Sequence, residues 1–122
     1  CDIEIVAALT PRYDAERLGF RLAGSPRQAD IVVVSGPVTR QTRDRVIRTI
    51  AQVPEPRVIV SIGSCPRSGN VFKGSYAIDG PLEKWVHVDV AVAGCTPKPE
   101  AIMAGLAKAT EILKEKRKEM RK

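Results

Sequence analysis

The sequence predicts an α/β domain built on a parallel sheet, and two observations lead to this fold class. Short apolar runs rich in β-branched residues occur at "ADIVVVSG" (29–36), "RVIVSIG" (57–63) and "HVDVAVAG" (87–94), which is typical of strands buried on both faces. Segments with helical spacing of apolar residues lie between or beside these runs. Such alternation favours parallel strands joined by right-handed crossovers. We expect residues 1–122 to form a single domain.

The first two helices follow from the same spacing rules. "DIEIVAAL" directly follows Cys1 and predicts a short helix that ends before Pro11. A second helix is expected between the first and second strands, where Thr39 or Thr42 could cap it and Pro54 ends it. The apolar residues at helical spacing in this segment are Val46, Ile47, Ile50 and Ala51.

The chain closes with a long helix after the third strand. Pro97 and Pro99 suit its start, and Glu100 suits its first turn. Its apolar face consists of Ile102, Leu106, Ala109 and Leu113. The basic end at about 114–122 is interpreted as a solvated helix end. Between the second and third strands, the stretch 66–85 is predicted to be a long loop, and loops of this length in a domain are usually functional.

The composition limits the classes of partner. The net charge of +6 could serve a nucleic acid, an anionic membrane surface or an acidic protein. The cations do not form one stripe, and one Trp, two Tyr and two Phe offer few stacking surfaces for bases. We therefore expect no nucleic-acid partner. Because no run of 18 apolar residues occurs, no membrane-spanning segment is expected either.

The three cysteines stand at related places in this scheme. Cys65 and Cys95 follow the second and third strands within Gly- and Pro-containing turns, and Cys1 precedes the first helix, where an upstream first strand would end. Parallel strands end at a common edge, so we expect the three thiols to converge there. Convergent thiolates favour zinc or an iron–sulfur cluster. The alternative interpretation is three small buried apolar side chains.

The ligand set is incomplete within the chain. A [4Fe–4S] cluster normally takes four cysteines, and only three are present, so one ligand is missing, external or not a cysteine. His87 is the only histidine, and it begins the third strand, at the opposite end from Cys95. We therefore interpret His87 as an ordinary histidine. A non-redox zinc-binding domain or a basic binding domain remains the alternative from a different class.

Four motifs are specific in combination: "PRYDAERLG", "SPRQAD", "IGSC" and "GCTPKPE". With them, the chain from Cys1 to about Leu113 resembles the small, cluster-bearing subunit of energy-converting membrane-bound [NiFe] hydrogenases. It is also similar to the homologous 20-kDa-type subunit of respiratory complex I. Pro99, where the complex I branch usually has a small residue, favours the hydrogenase-like branch, which membrane-bound sulfur-reducing relatives share.

The resemblance implies a flavodoxin-like, three-layer fold whose first strand lies upstream of Cys1. It implies an electron-transfer subunit of an oxidoreductase complex that carries one [4Fe–4S] cluster and has no activity alone. The ligands would be Cys1, Cys65 and Cys95, with a fourth cysteine three residues before Cys1. Backbone amides of the glycine turns could donate to the cluster sulfides. Glu4 would have a role beside the cluster or on a proton path, the alternative being an exposed acid in a first helical turn.

The same resemblance implies partners and a location. The partners would be a hydrogenase-like large subunit, a ferredoxin-like cluster subunit and membrane-anchor subunits, with the complex on the cytoplasmic side of the cell membrane and this subunit peripheral. The loop 66–85 would pack on the large subunit. The alternative complexes are an NADH:quinone oxidoreductase and a membrane-bound sulfur reductase. Motif residues that could contact a partner or form structural ion pairs are Arg12, Tyr13, Asp14, Arg17, Arg27 and Asp30.

Overall fold

The fold alternates helices and parallel strands in the predicted order. A computed structural model describes residues 1–14, 17, 19–22, 24–69, 72–78 and 81–121. Its elements are α1 (Asp2–Ala8), β1 (Ile31–Ser35), α2 (Arg43–Ala51), β2 (Val58–Ile62), α3 (Ser64–Ser68), β3 (Val90–Val92) and α4 (Pro99–Arg121). Single 3-10 turns lie at Pro26–Gln28 and Leu82–Lys84. The predicted α/β class is confirmed.

The described strands form one parallel sheet in the order β1-β2-β3. The register places Ser35 opposite Ile62, and Ile62 opposite Val92. All three strands therefore end at the same side of the sheet, which we call the carboxyl edge, and begin at the opposite amino edge. In the described part of the chain β1 pairs with β2 alone. The strand expected upstream of Cys1 stays a prediction.

The main core lies between α4 and the strands β2 and β3. Strand side chains alternate between the faces of a sheet, so Val58, Val60 and Ile62 all point to the same face, where α4 covers them. The core residues of β3 and α4 are Val90, Val92, Ile102, Leu106, Ala109 and Leu113. The predicted apolar face of the last helix is thus confirmed. Each Val, Leu or Ile side chain of this core stabilises the fold by roughly 1.5–3 kcal/mol when fully buried.

The sheet separates two helical layers. Ile31 lines a cavity of about 900 Å³ together with Ile5 of α1, with Leu106 and Leu113 of α4, and with residues of the segment that precedes β1. Val32 and Val34, which point to the opposite face, line a groove against α2. Helix α2 therefore lies on one face of the sheet, with α1 and α4 on the other. The three-layer arrangement expected from the resemblance is confirmed.

Two strand predictions need correction. The first run is not buried on both faces: Val33 is 36% exposed, because α4 covers β2 and β3 while β1 lies at the edge of the described sheet. The third strand is only Val90–Val92 rather than 87–94. The ladder starts late because the carboxylate of Asp89, not a strand carbonyl, accepts the Ile59 N–H at 3.0 Å.

The long loop predicted for 66–85 is also only partly a loop. Its start lies within helix α3, which ends at Gly69 in the left-handed conformation that glycine readily adopts. Near its end, a 3-10 turn buries Leu82 completely. This apolar anchor ties the connection to the protein body. Between these points the described residues 72–78 are mostly exposed.

Helix α2 begins directly after Thr42, one of the two threonines that were predicted to cap it. The Thr39 N–H donates to the Thr42 hydroxyl at 3.1 Å, and the Thr42 N–H donates to the Thr39 hydroxyl at 3.2 Å. This exchange satisfies backbone groups ahead of Arg43, the first helical residue. The apolar face is narrower than expected, because Ile50 is buried but Ala51 is exposed. The helix ends at Ala51, before the prolines, as predicted.

A nearly buried carboxylate joins three elements at the amino edge. The side chain of Asp89 is 7% exposed, and it accepts hydrogen bonds from the Ile59 N–H at 3.0 Å and from Lys116 Nζ at 2.9 Å. Lys116 also donates to the Arg57 carbonyl at 2.8 Å. Burial alone would raise the pKa of Asp89, but the Ile59 N–H, Lys116 and His87 together hold that pKa below its usual value.

Asp89→Asn is expected to lower the free energy of unfolding by about 1–3 kcal/mol at pH 7, because Lys116 loses its charged partner. A depressed folded-state pKa contributes stability that is present above the unfolded-state pKa of the carboxyl and is lost as the pH falls through the folded-state value. The variant should therefore lose less stability than the wild type between roughly pH 5 and pH 2. Urea unfolding at several pH values, followed by circular dichroism, measures both effects.

The control is Asp44→Asn, which removes an exposed carboxylate that pairs with Arg43 at 3.4 Å. Exposed pairs contribute little, so this change should cost less than about 1 kcal/mol. Equal stabilities and equal pH profiles for the two variants would show that the Asp89 network does not hold the amino edge together.

Candidate metal centre

The thiol of Cys1 lies against the end of β2 at Gly63. Gly63 has φ of 88° and ψ of 178°, a backbone region that is essentially restricted to glycine. A Cβ at this position would lie 2.6 Å from Cys1 Sγ and 3.4 Å from the Gly94 carbonyl oxygen. The missing side chain of Gly63 therefore leaves the space in which the Cys1 thiol and the ends of β2 and β3 meet.

Backbone hydrogen bonds join the turns that follow β2 and β3. The Gly63 N–H donates to the Val92 carbonyl at 2.8 Å and continues the ladder of the sheet by one bond. The Ser64 N–H then donates to the Gly94 carbonyl at 3.0 Å, and the Ser64 hydroxyl lies 3.3 Å from the same oxygen. The turns that carry the second and third cysteines are thus fixed relative to each other.

The other two thiols lie within these turns. Cys65 is the second residue of α3 and is half-buried, and its carbonyl accepts the Gly69 N–H at 2.8 Å. Cys95 directly follows Gly94 and is exposed. All three cysteines are free thiols. The fold therefore brings Cys1, Cys65 and Cys95 to the carboxyl edge, each from a different segment of the chain.

The donor set consists of soft thiols, which suit zinc and iron–sulfur clusters. Among the residues described, no three His, Cys, Asp or Glu side chains are grouped so that they could hold one metal ion. A [4Fe–4S] cluster is a larger body, and its cysteines surround it instead of meeting at one atom. Thiolates spread around one edge of the sheet match that requirement, and their softness suits iron–sulfur chemistry.

The other predicted site residues have less definite positions. The His87 side chain is 85% exposed, and its Nε2 lies 3.4 Å from Asp89 at the amino edge, away from the thiols, as the sequence predicted. Glu4 is half-buried in the first turn of α1. Within the described ranges the Glu4 side chain makes no hydrogen bond or ion pair, and its suggested role stays a hypothesis.

The motif "PRYD" does not form an ion-pair cluster in the described part of the chain. The Arg12 guanidinium lies 5.6 Å from the centre of the Tyr13 ring. Asp14 has φ of 47°, and its N–H donates to the Thr10 carbonyl at 2.6 Å. None of these side chains, nor that of Arg17, makes a salt bridge to a described residue. The alternative of a partner contact stays a prediction for this motif.

Arg27 and Asp30 were each expected either to form a structural ion pair or to contact a partner, and the two residues differ in the structure. Asp30 Oδ2 lies 3.5 Å from Arg117 Nη2, so this acid has a structural partner on α4. Arg27 is exposed and makes no ion pair with the described residues. One contact at the carboxyl edge, between Asp2 and Ser35, was not predicted from the sequence. The sequence shows only an acidic residue directly after Cys1 and a hydroxyl residue at a strand end, and both features are too common to predict this contact.

The described part of the chain is a three-layer α/β domain with free thiols at the carboxyl edge of its parallel sheet. The family model described as NADH ubiquinone oxidoreductase, 20 Kd subunit, matches residues 1–109. The chain therefore belongs to this family, and the predicted relationship is confirmed. Among the described residues, no helix is long and apolar enough to cross a membrane.

The similar proteins are named as parts of hydrogenase, hydrogenlyase and reductase complexes. The chain is 54% identical over 113 residues to the probable membrane-bound hydrogenase subunit mbhJ of Pyrococcus furiosus, covering 93% of this chain and 68% of that protein. It is 42% identical over 116 residues to formate hydrogenlyase subunit 7 of Escherichia coli K12, covering 95% and 46%. A solved structure of the archaeal membrane-bound sulfane sulfur reductase matches with a TM-score of 0.86 at 39% identity, covering 93% and 64%.

Gly63→Ala is expected to destabilise the protein for two separable reasons. The positive φ alone costs about 1–3 kcal/mol for a residue with a side chain. The new methyl group also displaces the Cys1 thiol, since their separation would be 2.6 Å. Unfolding free energies from denaturant titration measure the total.

Gly36→Ala is the matched control, because Gly36 has φ of 78° but no atom within 4 Å of its Cβ position. We expect Gly63→Ala to cost more than Gly36→Ala, and Cys1→Ala in the Gly63→Ala background to remove part of the excess. If the two single variants cost the same, the Cys1 thiol does not occupy the space beside Gly63.

Proposed function

We propose that the chain is an electron-transfer subunit of a membrane-bound, hydrogenase-like complex and that it holds one [4Fe–4S] cluster. Its ligands are Cys1, Cys65 and Cys95. The observation that carries the proposal is the meeting of the Cys1 thiol with the ends of β2 and β3 at Gly63. Family membership supports it, because the relatives are named as subunits of hydrogenase and reductase complexes.

A fourth cysteine completes the ligand set from a position three residues before Cys1 in the full polypeptide. Cys1 directly precedes α1, and its carbonyl accepts the Ile5 N–H at 3.0 Å. The residues that precede a helix start lie close to it, so a thiol three positions earlier can reach the same edge of the sheet. This spacing is the one that the hydrogenase-like resemblance implies.

The chain's own residues present the thiolates, and the bound cluster supplies one-electron transfer. The Gly63 and Ser64 amides already donate to the Val92 and Gly94 carbonyls, at 2.8 and 3.0 Å. They are therefore committed within the sheet edge and are unsuited to donate to a sulfide. Donation from the other amides of the glycine turns stays a prediction.

The segment 72–78 is the proposed contact with the large subunit. It follows helix α3, which carries Cys65, and the Arg40 N–H fixes its far end by donating to the Ala77 carbonyl at 2.9 Å. Phe72 and Tyr76 are exposed, and the Tyr76 side chain is 84% accessible. Exposed aromatic residues of this kind are frequent anchors of protein interfaces.

In this proposal the reaction belongs to the assembled complex. The large subunit carries the active site, a ferredoxin-like cluster subunit exchanges electrons with this chain, and membrane-anchor subunits hold the assembly to the cytoplasmic side of the membrane. The chain is peripheral and has no activity alone. Hydrogen evolution, sulfur reduction and quinone reduction would all use such a subunit, and we favour the hydrogenase-like complex because of "GCTPKPE" and the similarity to the Pyrococcus subunit.

Cys65→Ser and Cys95→Ser are each expected to remove the cluster from the assembled complex, because a serine hydroxyl is a poor ligand for iron. Anaerobically purified complexes should lose about four irons and four sulfides relative to the wild type, together with one electron paramagnetic resonance signal. Iron and sulfide analysis and spectroscopy of the reduced complexes measure the loss.

Thr96→Ser, beside Cys95, is the control, since it changes an exposed residue and leaves every thiol in place. It should retain all irons. A full iron complement in both cysteine variants, or one zinc bound per chain in place of iron, would refute the proposed cluster and support the zinc-binding alternative.

Tyr76→Ala and Phe72→Ala are expected to weaken binding to the large subunit by more than about 1 kcal/mol each, as for buried aromatic anchors. Met120→Ala is the control, because Met120 is also exposed but lies near the end of α4. Co-purification and hydrogen exchange of 72–78 in the complex test this contact. Unprotected amides in that segment, with wild-type binding of both variants, would show that the large subunit binds elsewhere.

A further inference from the structure

The Asp2 carboxylate joins the start of α1 to the end of β1. Asp2 directly follows Cys1 in the chain, and Ser35 is the last residue of β1. The Ser35 hydroxyl donates a hydrogen bond to Asp2 Oδ1. Among the described residues, this is the one side-chain hydrogen bond between α1 and the sheet. It connects two segments that are separated by 33 positions in the sequence.

This contact acts next to the residue whose thiol lies against Gly63. Helix α1 has seven residues, and so short a helix has little stability of its own. Cys1 and Ile5 pack against the main core, and Ala8 is buried. The hydrogen bond from Ser35 is directional, and it acts one residue from Cys1. It therefore adds a fixed orientation to a segment that apolar packing already places.

The same carboxylate places a negative charge at the cluster edge. Asp2 is exposed and forms no ion pair with a described lysine or arginine. The residue next to a cluster ligand is close enough to act on the cluster through Coulomb's law. A reduced cluster carries one more negative charge than an oxidised one, so a nearby carboxylate disfavours reduction.

We propose that Asp2 is a positioning residue of the cluster site and also tunes the cluster. Ser35 holds the Asp2 carboxylate, the carboxylate fixes Cys1 against Gly63, and its charge lowers the reduction potential. This inference rests on the proposed function, because it requires a cluster bound through Cys1. It assigns a role to two residues that are not themselves ligands.

The test is a redox titration of the assembled complex, followed by electron paramagnetic resonance. Asp2→Asn keeps an oxygen that can accept from Ser35 but removes the charge. At a given potential it should raise the ratio of reduced to oxidised cluster roughly tenfold, which corresponds to an upward shift of about 59 mV for one electron. Ser35→Ala keeps the charge and removes the hydrogen bond, so it should change the line shape of the signal and shift the potential less.

Glu111→Gln is the control for charge. Glu111 is an exposed residue of α4, twelve positions beyond the start of that helix at Pro99, which corresponds to about 18 Å along the axis. Removing this charge should leave both the potential and the line shape unchanged. An equal shift in Glu111→Gln and Asp2→Asn would mean that overall charge, rather than Asp2, sets the potential.

The experiment separates this inference from the proposed function. The relevant signal is the one that Cys95→Ser removes, and the absence of any such signal refutes the proposed function itself. If the signal is present and Asp2→Asn titrates like the wild type, the role of Asp2 is refuted alone. If the complex with Asp2→Asn assembles without the cluster, the Ser35→Ala variant provides the test. An unchanged line shape and an unchanged reduction potential in Ser35→Ala would overturn the positioning role.

Discussion

The candidate site depends on a close approach of Cys1 to Gly63 that permits no side chain at position 63. The approach is possible because β2 and β3 are parallel and in a register that continues by one bond beyond the strands, from the Gly63 N–H to the Val92 carbonyl. That register is in turn held by the apolar side chains that β2 and β3 bury under α4. Packing of the core thus sets the position of the thiols, although no thiol is needed to build the core.

Helix α4 extends from near the carboxyl edge of the sheet to the amino edge, and the two edges differ in their contacts. It begins at Pro99, shortly after Cys95, and Lys116 on its later turns reaches Asp89 at the amino edge. The amino edge is closed by a hydrogen-bonded charge network that stabilises the fold. The carboxyl edge has free thiols and glycines with positive φ. The proposed ligands therefore lie at the opposite edge of the sheet from the Asp89 network.

Much of this architecture could be predicted from local patterns. The continuous apolar run at 57–63 indicates a strand buried on both faces, and the helical spacing of the face headed by Ile102 indicates both the last helix and its buried side. Placing Cys65 and Cys95 after parallel strands was enough to predict a common edge. The motifs around them also indicated the family, and the comparison with known proteins confirms it.

What could not be predicted depends on contacts between distant segments. The shortened third strand results from the Asp89 side chain bonding to the Ile59 amide, 30 positions away. The buried anchor at Leu82 within the expected loop, and the Ser35 hydroxyl on Asp2, likewise have no periodic signal. Such contacts follow from tertiary packing, which single-element patterns do not contain.

The central claim is that three segments of this chain surround one iron–sulfur cluster. Crystals of the assembled complex, measured with anomalous diffraction on both sides of the iron absorption edge, test it most directly. The account predicts a compact group of four iron peaks bounded by the sulfur atoms of Cys1, Cys65 and Cys95. No iron signal at that position, or a single peak at the zinc edge, would contradict it.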